Sequence, residues 1–227
     1  MSQAGPQLTL PLPTRAALGR DDFVIGDANR AAVAWVDRWP DWPAPVLTIH
    51  GPPACGKSHL ATVWQLRADA VVADDIDALA VSTELPRALV LEAADDYVAT
   101  AELAPLFHLY NRLAEAGGHL LLTGRTAPSR WEIGLPDLRS RLVAAPAVAI
   151  GAPDEALLSA VMAKLFADRQ LRVSGDVISF LLLRIDRSFA AVRRVVDRLD
   201  AAAMQARAPI TVPFARRVLA DLDNETS

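Results

Sequence analysis

The sequence contains very little cysteine and very little lysine. Its single cysteine, Cys55, excludes an internal disulfide framework. Of the 23 lysine and arginine residues, only Lys57 and Lys164 are lysine. In a chain that otherwise uses arginine, a retained lysine suggests a position that needs a compact ammonium group.

Long apolar runs and an excess of positive charge are also missing. No run approaches the ~20 residues of a membrane-spanning helix, and the first residues lack the basic-then-apolar layout of a signal peptide. We therefore expect a cytoplasmic protein with no membrane partner. A net charge of −4 argues against a chain that binds DNA over its whole surface. The hydrophobic fraction of 52% is typical of a globular protein.

The hydrophobic pattern divides the chain into three parts. Residues 1–20 have no period and several Pro and Gly residues, which predicts a flexible tail. Residues 21–151 alternate apolar runs with helical periods and predict an α/β domain, a parallel sheet flanked by helices. Residues 152–227 have only helical periods and predict a small C-terminal all-helical lid domain. The predicted strands lie within 44–51, 69–75, 87–95, 119–125 and 143–151, and N-caps of the lid helices are expected at Asp154, Ser174, Ser188 and Thr211.

A phosphate-binding loop follows the first predicted strand. The stretch "GPPACGKS" (51–58) fits G-x-x-x-x-G-K-[ST] and opens a predicted helix, which is the context that this motif requires. Gly51 and Gly56 let the backbone N–H groups turn toward phosphate oxygens. Lys57 is expected to reach the terminal phosphates, and Ser58 is expected to ligate Mg²⁺. Cys55 is interpreted as a small residue that the loop tolerates.

Two stretches compete to supply the acidic residues that nucleotide hydrolysis needs. "VVADD" (71–75) comes soon after Lys57, and its acids are expected at the surface and at a helix start. "LVLEAAD" (89–95) is better placed and puts Glu92 where the acid that organises Mg²⁺ is expected. The next residue is Ala93, whose methyl group cannot orient or deprotonate water. Asp95 or Asp96 could supply the missing water-activating acid, and this alternative stays open.

With these parts located, the chain resembles the AAA+ P-loop ATPases, and among them the replication initiator DnaA and its Hda-type homologues. "FVIGDANRAAV" (23–33) resembles the N-terminal nucleotide box, and "GLPDLRSRL" (134–142) resembles the box that carries the arginine finger. The resemblance covers about residues 20–222 and implies an ADP or ATP site with Mg²⁺ at Ser58 and Glu92. The implied nucleotide-binding residues are Val24, Ile25, Asn29, Gly51, Ala54, Cys55, Gly56, Lys57, Ser58, His59 and Thr123.

The family pattern is incomplete at two positions of this site. Ala93 replaces the water-activating acid, and Ala190 stands where the family has a nucleotide-sensing arginine in the lid. Arg187, Arg193 or Arg194 could reach the site from adjacent turns. We therefore expect nucleotide binding with negligible intrinsic ATPase activity. By the same resemblance, Arg141 is the arginine finger, which acts on the nucleotide of a partner subunit.

The N-terminal stretch "QLTLPL" (7–12) is unusually apolar for a tail. Hda-type proteins carry a similar peptide that docks on the DNA polymerase III sliding clamp, and a lid with no DNA-binding domain after it is also similar to theirs. The resemblance implies clamp contacts by Gln7, Leu8, Leu10, Pro11 and Leu12. The alternative is that this peptide folds back onto its own domain.

Taken together, the resemblance implies a regulator of chromosomal replication initiation. It would bind the sliding clamp, stimulate hydrolysis of DnaA-bound ATP and thereby prevent re-initiation, contacting DNA only indirectly through the clamp. A homodimer stays open. The alternatives are an active AAA+ ATPase, such as a helicase loader, and a clamp adaptor that is indifferent to nucleotide.

Overall fold

The computed structural model describes residues 24–225, with side chains described for residues 24–220. The clamp-binding residues expected in the tail, Gln7, Leu8, Leu10, Pro11 and Leu12, lie outside the described residues.

The first half of the described chain forms a five-stranded parallel sheet, as the sequence predicts. The strands are β1 (Val46–His50), β2 (Val71–Val72), β3 (Ala88–Leu91), β4 (His119–Gly124) and β5 (Ala147–Ala149). Their spatial order is β2-β3-β4-β1-β5, so the first strand lies between the fourth and the fifth. All pairings are parallel, and the carboxyl ends of the strands therefore meet at one edge, where ligands bind in open α/β sheets.

Helices cover both faces of this sheet. They are α1 (Arg30–Asp37), α2 (Lys57–Ala68), α3 (Ile76–Val81), α4 (Ala94–Thr100), α5 (Leu103–Ala116) and α6 (Pro136–Ala144). Strand side chains alternate between the faces. Leu47 and Ile49 of β1 pack with Trp64 of α2 on one face, whereas Val46 packs with Leu109 of α5 on the other. Each such buried leucine or isoleucine contributes about 1.5–3 kcal/mol to folding.

An aromatic cluster occupies the opposite end of the sheet, where β4 begins. The rings of Trp42 and Trp64 stack with centroids 5.3 Å apart, and Trp39 meets Trp64 edge to face at 6.2 Å. His119, the first residue of β4, packs edge to face against Trp39 and Trp42. The Nε2 atom of His119 lies 3.1 Å from the carbonyl oxygen of Pro40. Burial lowers the pKa of His119, although this hydrogen bond acts in the opposite direction.

The remaining helices form the lid around a separate apolar core. They are α7 (Glu155–Asp168), α8 (Gly175–Leu182), α9 (Phe189–Ala206) and α10 (Val212–Glu225). Three predicted caps accept backbone N–H bonds: Asp154 from Leu157, Ser188 from Ala191 and Thr211 from Phe214. Ser174 stands at the predicted N-cap of α8, but its side chain makes no capping bond.

Candidate nucleotide site

The loop of residues 51–58 joins β1 to α2 at the carboxyl edge of the sheet. Gly56 has φ +103°, a conformation that side chains rarely adopt. A Cβ atom on Gly51 would lie 2.1 Å from the carbonyl oxygen of Ile150, so no larger residue fits there. Ala54 also has a positive φ of 57°, which completes the curl of the loop. Cys55 is buried beneath it, which is consistent with a packing role.

Lys57 lies over this loop. Its Nζ atom donates to the carbonyl oxygens of Gly51 and Pro52, both at 2.8 Å, and lies 3.8 Å from the Sγ atom of Cys55. These contacts hold the ammonium group at the mouth of the loop. The residue therefore stands where the motif requires it.

The start of α2 is suited to an anion. Its first turn contains no acidic residue, and no side chain in the described part of the chain caps it. The backbone N–H groups of a helix's first turn have no acceptor within the helix, and the helix dipole adds positive potential there. The ammonium group of Lys57, the first residue of α2, lies at the mouth of the same loop. Together they fit the phosphates of a nucleotide.

The two residues predicted to hold Mg²⁺ contact each other. The hydroxyl of Ser58 donates to Oε2 of Glu92 at 2.6 Å, although the two residues are 34 positions apart in sequence. Glu92 directly follows β3, and both side chains are exposed. Hydroxyl and carboxylate oxygens are ligands that Mg²⁺ accepts, in company with phosphate oxygens and water. No group of three or more His, Cys, Asp or Glu residues within 24–225 could hold a metal on its own. The pair thus fits a metal that arrives with a phosphate.

Ala93 and Thr123 lie beside this pair. The Oγ1 atom of Thr123, at the end of β4 and buried, accepts a bond from the backbone N–H of Ala93 at 3.1 Å. Ala93 has a φ of 50° and is the residue directly before α4, and its own side chain carries no acidic group. Asp95 instead accepts from the backbone N–H of Arg125 at 2.8 Å, and Asp96 pairs with the Arg125 guanidinium at 3.1 Å. Neither carboxylate makes a contact that would support it as a replacement.

Residues 24–29, which belong to the stretch that resembles the N-terminal nucleotide box, are held by local hydrogen bonds. The buried Asn29 donates from Nδ2 to the carbonyl oxygen of Val24 at 3.0 Å and accepts from the N–H of Gly26 at 2.9 Å. Ile25 is 41% exposed, so an apolar side chain is available for contact. A Cβ on Gly26 would lie 3.3 Å from Leu157 of the lid. The segment therefore lies against the lid.

This segment is also connected to the phosphate loop. The N–H of Gly151 donates to the carbonyl oxygen of Ala28 at 2.9 Å, and Ile150, the preceding residue, lies against Gly51. The structure thus brings Val24, Ile25 and Asn29 to the same edge of the sheet as the loop.

His50 is the last residue of β1, directly before the loop. Burial, then Arg130 and Lys57, lower the pKa of this histidine below its usual value. Both positive charges disfavour protonation of the imidazole. In the sequence, the place of His50 directly before Gly51 is the one feature that points to it.

The lid contacts the phosphate loop through α9. The ring of Phe189 would lie 3.2 Å from a Cβ atom on Gly56. One turn further on, Nη2 of Arg193 lies 3.4 Å from Nδ1 of His59, in the first turn of α2. Ala190 is exposed, and Arg187 faces Glu155 at 3.9 Å within the lid. Of the three arginines left open by the sequence, Arg193 is therefore the one that contacts the first turn of α2.

Arg141 lies in the second half of α6. It is exposed, and its guanidinium carbon lies 5.3 Å from the ring centroids of both Phe107 and Tyr110 of α5. Arg139, two residues earlier, is also exposed. The sequence alone gave no sign of the two supporting rings.

Known structures resemble the chain as a whole. Domain III of the Thermotoga maritima replication initiation protein DnaA aligns with a TM-score of 0.74 at 17% identity, over 92% of this chain and 98% of that one. DnaA from Aquifex aeolicus bound to AMPPCP aligns with a TM-score of 0.65 at 18% identity, over 78% of this chain and 63% of that one. The Thermotoga maritima RuvB Holliday junction branch migration motor aligns at 0.61 and 16% identity, over 86% and 67%.

The lid gives a narrower match. Residues 155–219 match the family described as "Hda, lid domain". The chain therefore has a lid of the Hda type, on a fold similar to that of DnaA domain III. This Hda-type lid comprises α7, α8, α9 and most of α10, so the helices that approach the phosphate loop belong to the matched segment. Within residues 24–225, no helix has the length and apolar character needed to cross a membrane.

Proposed function

We propose that this DnaA-like protein is a regulator of chromosomal replication initiation that stimulates hydrolysis of DnaA-bound ATP while bound to the DNA polymerase III sliding clamp. The observation that carries the proposal is the exposed Arg141, supported on two aromatic rings, in a chain whose own site has Ala93 at the water-activating position. Such a protein can act on a partner's nucleotide better than on its own.

The first step is binding of ADP or ATP by the chain's own loop. Lys57, the uncapped start of α2 and the Ser58–Glu92 pair support phosphate and Mg²⁺ binding at one place. A bound Mg²⁺ would neutralise part of the phosphate charge. Val24, Ile25 and Asn29 would hold the base, and Thr123 would fix the backbone of Ala93. AMPPCP bound to the similarly folded Aquifex aeolicus DnaA supports an adenine nucleotide as the ligand.

Turnover at this site is proposed to be negligible. Hydrolysis needs a group that orients or deprotonates water near the terminal phosphate. Ala93 has no such group, and the neighbouring Asp95 and Asp96 contact Arg125. The bound nucleotide then has a structural role, in which it joins the lid to the α/β domain.

Arg141 acts in the proposal as a finger supplied to DnaA. Negative charge builds on the transferring phosphoryl group, and a guanidinium from a neighbouring subunit stabilises it. Arginine suits this task because its planar fork matches two phosphate oxygens at once. Phe107 and Tyr110 support the guanidinium by packing against it, which limits the conformations it must give up on contact with DnaA. Whether a homodimer of this chain forms first stays open.

The clamp contact is proposed from the sequence of the tail. Extended apolar peptides dock in grooves on other proteins, where alternate side chains fill pockets. Leu10 and Leu12 would fill the pockets, and Gln7 would add hydrogen bonds, with Leu8 and Pro11 completing the peptide. Clamp binding would place the regulator on replicating DNA without direct DNA contact, in keeping with its net charge of −4.

The test is a reconstituted reaction with DnaA bound to labelled ATP. We expect conversion to ADP only when this protein, with ADP or ATP in its own loop, and clamp-loaded DNA are both present, and a pull-down should capture both clamp and DnaA. Strong hydrolysis by the isolated protein would favour an active AAA+ ATPase such as a helicase loader. Unchanged stimulation by a Lys57→Ala variant would favour a nucleotide-indifferent adaptor.

A further inference from the structure

Helix α9 of the lid begins against the phosphate loop. The edge of the Phe189 ring packs on Gly56, where the absence of a side chain leaves room for it. Residues i and i+4 of a helix share a face, so Arg193 faces the same way as Phe189. It meets His59 in the first turn of α2 at 3.4 Å. One face of α9 thus places an apolar ring against the loop and a guanidinium beside the first turn of α2.

The other candidate cations have different surroundings. Arg187 precedes α9 and faces Glu155, a carboxylate that partly neutralises it. Arg194 is exposed, and it lies about 100° around the helix from Arg193, on the face that also carries the exposed Ala190. Arg193 is half-buried, so its guanidinium is less screened by water than that of an exposed residue.

We propose that Arg193 supplies the lid's positive charge to the phosphates of a nucleotide held by the 51–58 loop, one helical turn from the alanine at position 190. The assignment rests on the proposed nucleotide binding of that loop. Phe189 sets the approach of α9, and His59 positions the guanidinium by accepting from it. A phosphate oxygen replaces His59 as the acceptor when a nucleotide binds, because a charged acceptor makes the stronger bond. The lid thereby becomes sensitive to the nucleotide.

The experiment measures binding of ADP and of AMPPCP to the full chain by calorimetry. Arg193→Met removes the charge but keeps an apolar side chain of similar length, and Arg194→Met is the matched control on the adjacent face. We expect Arg193→Met to bind at least one of the two nucleotides roughly 10- to 100-fold more weakly, the usual effect of losing a bond to a charged group. Arg193→Lys should retain part of the affinity, and Arg194→Met should bind as wild type does.

Lys57→Ala separates failure of this inference from failure of the proposed function. If the wild-type chain binds neither nucleotide, or binds them equally well without Lys57, the loop is not a nucleotide site and both proposals fail. If binding depends on Lys57 while Arg193→Met matches the wild type, only the role of Arg193 is overturned. An equal loss in Arg193→Met and Arg194→Met also overturns it, since it would reflect general damage to α9. Thermal unfolding of each variant checks that the lid is folded.

Discussion

The guanidinium of Arg141 lies 5.3 Å from the ring centroid of Tyr110, with Phe107 at the same distance. Arg141 is on α6, and both rings are on α5. Tyr110 is buried, whereas Phe107 is only partly buried against the same core. The two rings of α5 thereby support the long, exposed side chain of Arg141. This is what a group needs if it is to enter a partner's site in one geometry.

Arg141→Ala is therefore expected to lose most of the stimulation of DnaA. Fingers supplied in trans are typically worth about 10³–10⁵ in rate. Arg141→Lys should recover little, because an ammonium group cannot contact two phosphate oxygens as the guanidinium fork does. The measurement is the ratio of ADP to ATP on DnaA in the presence of clamp-loaded DNA. Arg139→Ala is the matched control and should keep most of the activity. Full stimulation by Arg141→Ala would disprove the activator role.

Phe107 is expected to be a positioning residue for Arg141. Phe107→Leu keeps an apolar side chain at this position of α5 but removes the ring. The lost cation–π contact with Arg141 is worth about 0.5–1 kcal/mol at an exposed site. Stimulation of DnaA should fall by roughly 2- to 5-fold. Phe107→Tyr, which keeps a ring, should restore it. Nucleotide affinity should be the same in all three proteins, and Phe107→Leu should lower the unfolding temperature only slightly, because Phe107 is only partly buried. A loss shared by Phe107→Tyr would indicate a steric effect at the interface with DnaA.

Much of this architecture could be predicted from the sequence, because it depends on local patterns. The loop at 51–58 has fixed spacing, and the predicted strand stretches contain all five strands of the sheet. The pairing of Ser58 with Glu92 follows from the loop motif together with the end of a strand, although they are 34 residues apart. Asp75 was expected at a helix start, and its side chain caps α3 by accepting from Ala78.

The contacts between the lid and the loop could not be predicted in the same way. The pairing of Arg193 with His59 spans 134 residues, and it depends on how the lid packs against the α/β domain. Periodicity places residues on a face of a helix but does not say which neighbour that face meets. The sequence consequently left Arg187, Arg193 and Arg194 all open. The rings under Arg141 were missed for the same reason, since α5 and α6 are brought together only by the fold.

The tail gives a prediction that is independent of the site. Replacing Leu10 and Leu12 with alanine should abolish clamp binding, because each leucine would contribute about 1.5–3 kcal/mol in an apolar pocket. Surface plasmon resonance with immobilised clamp measures the affinity. Replacing Gln3 and Thr9 with alanine provides a control of the same size that keeps both leucines. Unchanged clamp affinity in the double leucine variant would show that the clamp is bound elsewhere. Unfolding temperatures that fall only in the leucine variant would instead indicate a tail folded onto its own domain.

The isolated chain is expected to bind adenine nucleotide and hydrolyse it negligibly. Lys57→Ala should weaken binding strongly, because it removes the ammonium group held at the mouth of the loop. Calorimetry measures binding, and phosphate release measures turnover. The distant Lys164, which pairs with Asp168 on α7, gives the matched control Lys164→Ala. A turnover of the order of 1–100 s⁻¹, as in competent kinases, would contradict the role given to Ala93.

Acid sensitivity is expected from the two histidines whose pKa values are lowered. Burial lowers the pKa of His119 below the ordinary value of 6.5, and burial with the charges of Arg130 and Lys57 lowers that of His50. As the pH falls below about 6.5, each imidazole takes a proton more readily in the unfolded chain than in the folded one. The free energy of unfolding must therefore decrease with falling pH, until the pH passes below the folded-state pKa values.

The variant His119→Gln tests this pH dependence at the histidine whose pKa is lowered by burial. The side-chain amide of glutamine can donate to the carbonyl oxygen of Pro40, and it thereby replaces the hydrogen bond that His119 makes beside Trp39 and Trp42. Urea unfolding at pH 7.5 and pH 5.5 measures how much the free energy of unfolding falls on acidification. The carboxylates contribute equally to this fall in the wild type and in His119→Gln. We expect this loss to be smaller in His119→Gln than in the wild type, because glutamine binds no proton in either state. His108→Gln, at an exposed position of α5, controls for the removal of one histidine. An equal loss in wild type and His119→Gln would mean that burial at the aromatic cluster does not disfavour the charged imidazole.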